Sequence, residues 1–502
     1  MAEKVISATI LGLKSQLVEI EADIGTGFTP PFVIVGLPDQ SIAEARQRVQ
    51  QAVRNSGFYW PGKRVIVNLA PADVKKIGSH YDLGVAVSIL LTSRQLSLTD
   101  EDEQACFLGE LSLNGEVRPV SGVLAVASTL KEKGLKRLYV PVANAAEAAL
   151  LAELEVFPIQ NLSELVEHLS GTIVLPRQVY RPLPAPPSID GSDLNEVQGQ
   201  QLAKRALQIA AAGGHNVLFF GPPGSGKTML ARCLVSLLPD LDLQQSLEVT
   251  NIYSVAGRLS KTHPLIQRPP FRHPHHTASG VSLIGGGSFP SPGEITLAHR
   301  GVLFLDELPE FPRPVIENLR QPLEEKTVTI ARASGSYDFP AEFILVAAMN
   351  PCPCGYYGDK EKRCICAAGQ ISRYRHKISG PLLDRIDLHL YIPRVPVAHL
   401  KIQNAIQRHD QKGIIMEARA RQKARQISRL NNTLTNKEVR KYCYLDDAGQ
   451  ELLDRAVKTL FLSPRAYYKV IKVARTIADL EAVGEINAAH VAEALQFRPR
   501  DW

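Results

Sequence analysis

Short apolar runs alternate with amphipathic stretches along the chain, and where the period changes the chain divides into regions. Residues 64–69 read as a strand, 81–91 as a buried helix and 137–142 as another strand, so 1–172 predicts a mixed α+β domain. Prolines then crowd in at Pro176, Pro182, Pro184, Pro186 and Pro187, which predicts a semi-rigid linker over 173–190. Between 191 and 395, the runs 217–220, 301–305 and 342–348 are short and almost wholly apolar, as strands buried in a parallel sheet are. Residues 396–502 are helical in pattern with few glycines. The expected fold class is α/β: a parallel-sheet core, an α+β domain ahead of it and a helical domain behind it.

A chain of 502 residues is too long for one core, and a composition of 45% hydrophobic and 22% charged residues is that of an ordinary globular protein. No window approaches the roughly 18 uninterrupted apolar residues of a membrane span. The first residues do not read as a signal peptide, so a cytoplasmic protein without a membrane partner is expected. The net charge of +6 is mild. Its distribution matters more, because 401–430 carries Lys401, Arg408, Lys412, Arg419, Arg421, Lys423, Arg425 and Arg429 against Asp410 and Glu417. Such a stripe can neutralise phosphates; a solvated helix face or a subunit contact accounts for it equally well.

The chemistry is concentrated after the apolar run 217–220, where Gly221-Pro222-Pro223-Gly224-Ser225-Gly226-Lys227-Thr228 leads into a helical stretch, the context of a phosphate-binding P-loop. Backbone N–H groups and the helix dipole meet the charge of a nucleoside triphosphate; Lys227 would reach its β- and γ-phosphates and Thr228 would hold Mg²⁺. The run Val302-Leu303-Phe304-Leu305 ends in Asp306 and Glu307, expected to complete the Mg²⁺ site and to polarise the attacking water. The run 342–348 leads to Asn350, a polar residue suited to orienting that water or sensing the γ-phosphate. Arg385 in Leu382-Leu383-Asp384-Arg385-Ile386-Asp387, or Arg465 in Leu462-Ser463-Pro464-Arg465-Ala466, could act as a finger across a subunit interface. Ordinary surface salt bridges are the other reading of both.

Cys352-Pro353-Cys354 and Cys364-Ile365-Cys366 supply two thiol pairs that can fold back on one structural Zn²⁺, although one intervening residue per pair is fewer than usual. Cys106, Cys233 and Cys443 stand alone and read as core thiols. Arg272-His273-Pro274-His275-His276 reads as a polar or DNA-facing loop, since adjacent histidines rarely converge on one ion.

Residues 272–277, Gly285-Gly286-Gly287, Pro292-Gly293-Glu294-Ile295-Thr296-Leu297-Ala298-His299, 302–311, Ala347-Ala348-Met349-Asn350-Pro351-Cys352-Pro353-Cys354-Gly355 and the tail Ala474-Arg475-Thr476-Ile477-Ala478-Asp479-Leu480-Glu481 closely resemble the ComM/YifB family, magnesium-chelatase-like AAA+ ATPases. The resemblance covers nearly the whole chain. It implies a homo-oligomeric ring, a hexamer, with an AAA+ core over 191–395 and a C-terminal helical lid over 396–502. It makes Arg385 the finger acting across the interface and Arg465 the sensor that closes the lid over the nucleotide. The implied function is that of an ATP-driven DNA motor, helicase-like, performing branch migration on duplex, branched or single-stranded DNA during homologous recombination and natural transformation. A chelatase-type or protein-remodelling ATPase is the alternative. Within such a ring, 265–289 and 356–377, the latter with Lys360, Lys362, Arg363, Arg373, Arg375 and Lys377, are expected to face DNA.

Residues 1–172 look like the Lon-protease-like domain of the same family. In Lon proteases a stretch similar to Leu113-Asn114-Gly115-Glu116-Val117-Arg118-Pro119-Val120-Ser121-Gly122 leads into the lysine of a Ser/Lys dyad. Here Val123-Leu124-Ala125-Val126 follows, without a lysine, and Asp82 stands where the serine would be. Ser79 is nearby, but a serine without a base is not activated. The domain is expected to be a scaffold or DNA-binding collar without peptidase activity.

Overall fold

The computed structural model describes the chain outside residues 1–3, 26–31, 38–39, 74–75, 77, 181–192, 261, 288–289, 333–334, 360, 395–409, 427–428 and 499–502. Pro182, Pro184, Pro186, Pro187, Phe289, Lys360, Lys401, Arg408 and the first residues of the expected lid thus lie outside the described residues. Two compact units emerge, residues 1–185 with 246–266, and residues 186–245 with 267–502. Among the described residues no helix is long and apolar enough to cross a membrane.

The first unit runs β1 (Lys4–Leu11), β2 (Lys14–Ile24), β3 (Phe32–Val35), α1 (Gln40–Asn55), β4 (Val65–Ala70), α2 (Asp82–Thr92) and β5 (Cys106–Phe107). A small hairpin, β6 (Glu110–Leu111) and β7 (Val117–Arg118), precedes α3 (Val123–Lys133), β8 (Arg137–Pro141), α4 (Val142–Ala148), β9 (Glu155–Ile159) and α5 (Leu162–Leu169). Seven strands form one sheet in the order β3-β4-β2-β1-β5-β8-β9. The two-residue period of a strand sorts its side chains between two cores. Tyr139 of β8 packs with Val49 of α1 and Leu90 of α2, whereas its neighbours Leu138 and Val140 pack with Leu124 of α3 and Ala148 of α4. Helix α2 is apolar all round because it is buried all round, every residue from 82 to 91 being inaccessible. The first part of the expected linker also packs here: Leu175 is buried and Gln178 bridges to Val156.

The second unit begins with α6 (Gln201–Gly213), β10 (Val217–Phe220) and α7 (Lys227–Leu237); most of α8 (Leu243–Val255), which follows in the chain, falls in the first unit. After β11 (Phe271–Arg272), α9 (Gly280–Ile284), β12 (Gly285–Gly286), β13 (Ser291–Pro292) and α10 (Glu294–Leu297) comes β14 (Val302–Leu305). Helices α11 (Arg313–Glu317) and α12 (Arg320–Glu325), the hairpin β15 (Thr327–Arg332) and β16 (Gly335–Pro340), β17 (Ile344–Met349), α13 (Ala368–Arg375), α14 (Gly380–Leu383) and β18 (Leu388–Tyr391) complete the core. Its sheet is parallel throughout, ordered β11-β14-β17-β10-β18. Phe220 pairs with Met349 on one side and Tyr391 on the other, and Leu305 pairs with Ala347, so the loops after β10, β14 and β17 leave from one edge. Ligands bind at this carboxyl edge in open α/β sheets.

Five further helices, α15 (Gln411–Gln426), α16 (Asn436–Tyr442), α17 (Asp447–Thr459), α18 (Pro464–Leu480) and α19 (Ala488–Gln496), share one core with the sheet, Ile415, Val470 and Val491 packing in the same cluster as Leu207 and Leu234. Helix α18 starts sharply because Pro464 occupies its first turn and the Ser463 hydroxyl accepts the Ala466 N–H at 3.2 Å. The fold is thus the expected α/β class, with a parallel-sheet core and a helical C-terminal region.

Residues 246–266 belong to the first unit, although the sequence pattern assigns them to the nucleotide-binding core. Their apolar side chains explain why: Leu247 and Leu265 pack on the core of α3 and α4. Polar contacts add to this, since Asn251 Nδ2 donates to Leu13 O at 2.9 Å, Gly122 N–H donates to Ser254 O at 3.1 Å, and the Ser254 hydroxyl donates to Glu147.

Candidate functional site

At the carboxyl edge of the second unit's sheet, the chain leaves β10 and turns through the glycine-rich loop into α7. Gly226, immediately before that helix, sits at φ 87°, where a side chain would be strained. Lys227 folds back over the loop: its Nζ donates to Gly221 O at 2.8 Å, Pro222 O at 3.0 Å and Asn350 Oδ1 at 3.2 Å. Burial pulls its ammonium below the ordinary lysine value, against the opposing pull of Asp306 and Glu307. Thr228 Oγ1 donates to Asp306 Oδ2 at 3.0 Å. The sheet's register thereby brings Lys227, Thr228, Asp306 and Asn350 into one cluster drawn from three strands. Glu307 adopts a left-handed φ of 51°, and its N–H donates to Asp306 Oδ1 at 2.9 Å. Such a conformation is costly for a non-glycine residue and accumulates at functional sites.

The histidine cluster lies beside this site. His276 Nδ1 is 3.5 Å from Glu307 Oε2, and the His273 ring packs 4.7 Å from Phe304 of β14. Among the described residues, the group with metal-ligand spacing is the four cysteines.

Arg385 and Arg465 are placed elsewhere. Asn216, just ahead of β10, donates from its backbone N–H to Asp387 Oδ2 at 3.1 Å and from Nδ2 to Arg385 O at 3.2 Å. Because β10 and β18 run parallel, Arg385 lies at the amino edge of the sheet, opposite the P-loop. A four-residue strand separates the two edges by about 13 Å. Arg465 reaches the same edge from α18: each arginine contacts Glu324 at 2.7 Å, and all three line a cavity of about 830 Å³. Asp387 is buried there; burial alone would raise its carboxyl, but Lys469 at 2.7 Å and then His215 hold it far below the usual range.

The cysteines of Cys352-Pro353-Cys354 and Cys364-Ile365-Cys366 meet with all four Sγ atoms within 4.8 Å. Cys352 Sγ lies 3.4 Å from that of Cys354 and 3.7 Å from that of Cys364, and Cys354 to Cys364 is 3.6 Å. These separations exclude a disulfide. They match the edge of a ZnS₄ tetrahedron, about 3.8 Å for a Zn–S bond of ~2.3 Å. The turn lies against the P-loop, since a Cβ on Gly355 would come within 2.8 Å of Pro223 Cδ. Cys106, Cys233 and Cys443 are buried, as core thiols are.

The cations expected to meet DNA are largely partnered within the chain. Lys362 stacks over Tyr356 at 4.6 Å, Arg375 donates to Pro351 O at 3.3 Å, and Lys377 pairs with Glu310 at 3.3 Å; Arg363 and Arg373 are exposed. In the basic stripe, Arg425 grips Asp479 through two 2.8 Å bonds, Arg419 donates to Ala211 O, Arg421 to Asp479 O, Lys412 pairs with Asp240 and Arg429 with Glu438. Lys423 is exposed.

In the first unit, Asp82 is buried and accepts from Arg48 Nε at 2.9 Å, Arg48 Nη2 at 3.3 Å and the Leu111 N–H at 3.2 Å. Burial pushes its carboxyl up to about 6 despite Arg48. Ser79 donates to Glu110, while His80 Nε2 contacts Ser121 O at 3.0 Å.

A parallel sheet with a P-loop after one strand, an acidic pair after a second and a polar residue after a third defines an AAA+-type P-loop ATPase. Magnesium chelatase family models match all three parts: "Subunit ChlI of Mg-chelatase" over residues 20–144, "Magnesium chelatase, subunit ChlI" over 193–400, and its C-terminal model over 409–498. Competence protein ComM of Haemophilus influenzae is 42% identical over 500 residues, covering 98% of this chain and 97% of its own. Protein YifB of Escherichia coli is 41% identical over 493 residues, covering 98% and 96%. The magnesium-chelatase 38 kDa subunit of Rhodobacter capsulatus is 25% identical over 171 residues, 31% of this chain and 49% of that one. The chain belongs to the ComM/YifB family of magnesium-chelatase-like AAA+ ATPases.

Proposed function

We propose that this chain hydrolyses ATP in a homo-oligomeric ring, a hexamer, and uses that energy to move branched or single-stranded DNA during recombination in natural transformation. The observation that carries the ATPase reading is the cluster of Lys227, Thr228, Asp306 and Asn350 at one sheet edge. Residues 221–226 would wrap the phosphates with backbone N–H groups, and Lys227 would exchange its loop carbonyls for phosphate oxygens. Thr228 and Asp306 suit Mg²⁺, which when bound neutralises charge developing on the phosphates. Glu307 would orient the attacking water and accept its proton, and Asn350 would contact the γ-phosphate.

Arg385 and Arg465 would both act on a neighbouring chain's nucleotide, because they lie across the sheet from their own P-loop. A head-to-tail interface that closes into a ring joins two different faces of the subunit, and in this ring it would set one subunit's amino edge against the next one's P-loop. An arginine supplied in this way can contribute ~10³–10⁵ in rate. The cysteine cluster would hold a structural Zn²⁺ that fixes the turn beneath Pro223.

The DNA reading is supported by the similarity to a competence protein over nearly the whole chain. A chelatase-type remodeller of a partner protein is the second reading, favoured by the magnesium chelatase models. The first unit would serve as a collar without peptidase activity, since Ser79 donates to an acid, Glu110, and Asp82 is engaged by Arg48. The deciding experiment follows ATP-dependent displacement of a labelled strand from a mobile junction, with Lys227→Ala as control. Displacement that needs Lys227 supports the motor. An active ATPase that moves no strand, and is stimulated by protein instead of DNA, overturns it.

A further inference from the structure

Glu324, near the end of α12, binds two arginines that arrive from different parts of the second unit. Its Oε2 meets Arg385 Nη2 and its Oε1 meets Arg465 Nη2, each at 2.7 Å. Arg385 comes from the segment ahead of β18, Arg465 from the first turn of α18. Two guanidiniums drawn together repel one another unless an anion stands between them. The carboxylate supplies that anion and engages one Nη of each. Further N–H donors therefore remain on both side chains, with Arg465 half exposed at 50%. The cavity they line holds seven lysines and arginines against three acids, an electrostatic bias towards phosphate.

The frame around Glu324 is fixed on both sides. Arg320, one turn earlier on α12, donates from Nη2 to Ser379 Oγ at 2.9 Å, and Arg385 Nη1 donates to Pro381 O at 2.6 Å. On the helical side, Lys469, one turn after Arg465, is held by Asp387 at 2.7 Å.

We infer that Glu324 is a positioning residue: it sets Arg385 and Arg465 side by side as one receiving pair for the terminal phosphate of a nucleoside triphosphate carried by a second copy of this chain. The inference rests on the ring reading above. Glu324 does not touch the phosphate itself; it fixes the spacing and direction of the groups that do.

The test uses the full chain. Glu324→Gln keeps the shape of a partly exposed side chain and removes its charge. Its kcat for ATP should fall roughly tenfold, as a misplaced catalytic group does, while a fluorescent ADP analogue binds its P-loop within about twofold of wild type, since uniform binding is untouched. Adding Glu324→Gln to Arg385→Ala or to Arg465→Ala should cost much less than its separate effect, because Glu324 acts through them. Unchanged kcat, an equal loss of ADP affinity, or effects that simply multiply would overturn the inference. A mixture of Lys227→Ala and Arg385→Ala chains separates this from the ring reading. Recovered hydrolysis in the mixture keeps the arginines acting between chains, so that a failure of Glu324→Gln alone counts against Glu324. Absence of recovery overturns both.

Discussion

Lys227 Nζ lies 3.2 Å from Asn350 Oδ1, which ties the P-loop to the carboxyl end of β17. In the proposed ATP site the contact would make Asn350 part of the phosphate cradle. Asn350→Ala should reduce ATP turnover by about a hundredfold, the cost of losing one aligned polar group at a reacting centre, while ADP binding changes much less. Steady-state hydrolysis alongside nucleotide titration checks this, and parallel losses in both would instead mean a collapsed loop.

Glu307 should be separable from nucleotide binding. Its backbone is left-handed and its half-exposed carboxylate meets His276 Nδ1 at 3.5 Å, whereas Thr228 is engaged by Asp306. Glu307→Gln is expected to bind ATP normally, to hydrolyse it at least ~100-fold more slowly, and to accumulate as ATP-bound rings in sizing columns. Wild-type turnover would remove Glu307 from the chemistry.

One equivalent of zinc per chain is expected by elemental analysis. Cys352→Ser or Cys364→Ser should lower zinc content and thermal stability together, and weaken nucleotide binding through the Gly355 turn on Pro223. Stoichiometric zinc in a variant lacking all four thiols would rule the site out.

The basic stripe makes a prediction about stability. Arg425→Ala removes the bidentate partner of the buried Asp479, which keeps Arg475 at 3.2 Å and Asn431 at 2.8 Å, and should cost about 1.5–3 kcal/mol, the range for a hydrogen bond to a charged group. Lys423→Ala, on an exposed side chain, should leave the melting temperature within error. Equal effects would mean that the Arg425–Asp479 contact is not formed in solution.

His389 of β18 is buried, and burial, with Arg498 nearby, lowers its pKa from 6.5 to about 3. Below pH 6.5 the unfolded chain takes up a proton that the folded chain refuses. The contribution is therefore complete above that pH and falls by about 1.4 kcal/mol per pH unit towards pH 3. Urea midpoints at pH 7.5 and 5.5 should diverge less in His389→Asn than in wild type, and an identical divergence would contradict the burial.

The parts legible in the sequence are those whose chemistry is local. The P-loop is contiguous, Asp306 and Glu307 directly follow an apolar run, and four cysteines within fifteen residues have little choice but to meet. What sequence could not supply is long-range. Nothing about Arg465 announces that it shares Glu324 with Arg385, since 141 residues separate Arg465 from that acid. The stripe around α15 reads as a surface by composition, yet most of its described cations are consumed by backbone carbonyls and acids from other elements, as Arg419 and Arg425 are. Residues 246–266 were invisible as part of the first unit because a helix with weak amphipathic contrast does not reveal which core it will join.

In the proposed ring, setting Arg385 and Arg465 at one edge of a sheet and the P-loop at the other would leave a lone chain with half of each of two catalytic centres and the whole of none. Its specific activity should therefore rise with protein concentration and collapse on dilution, and a cell could govern it simply through how many copies it makes.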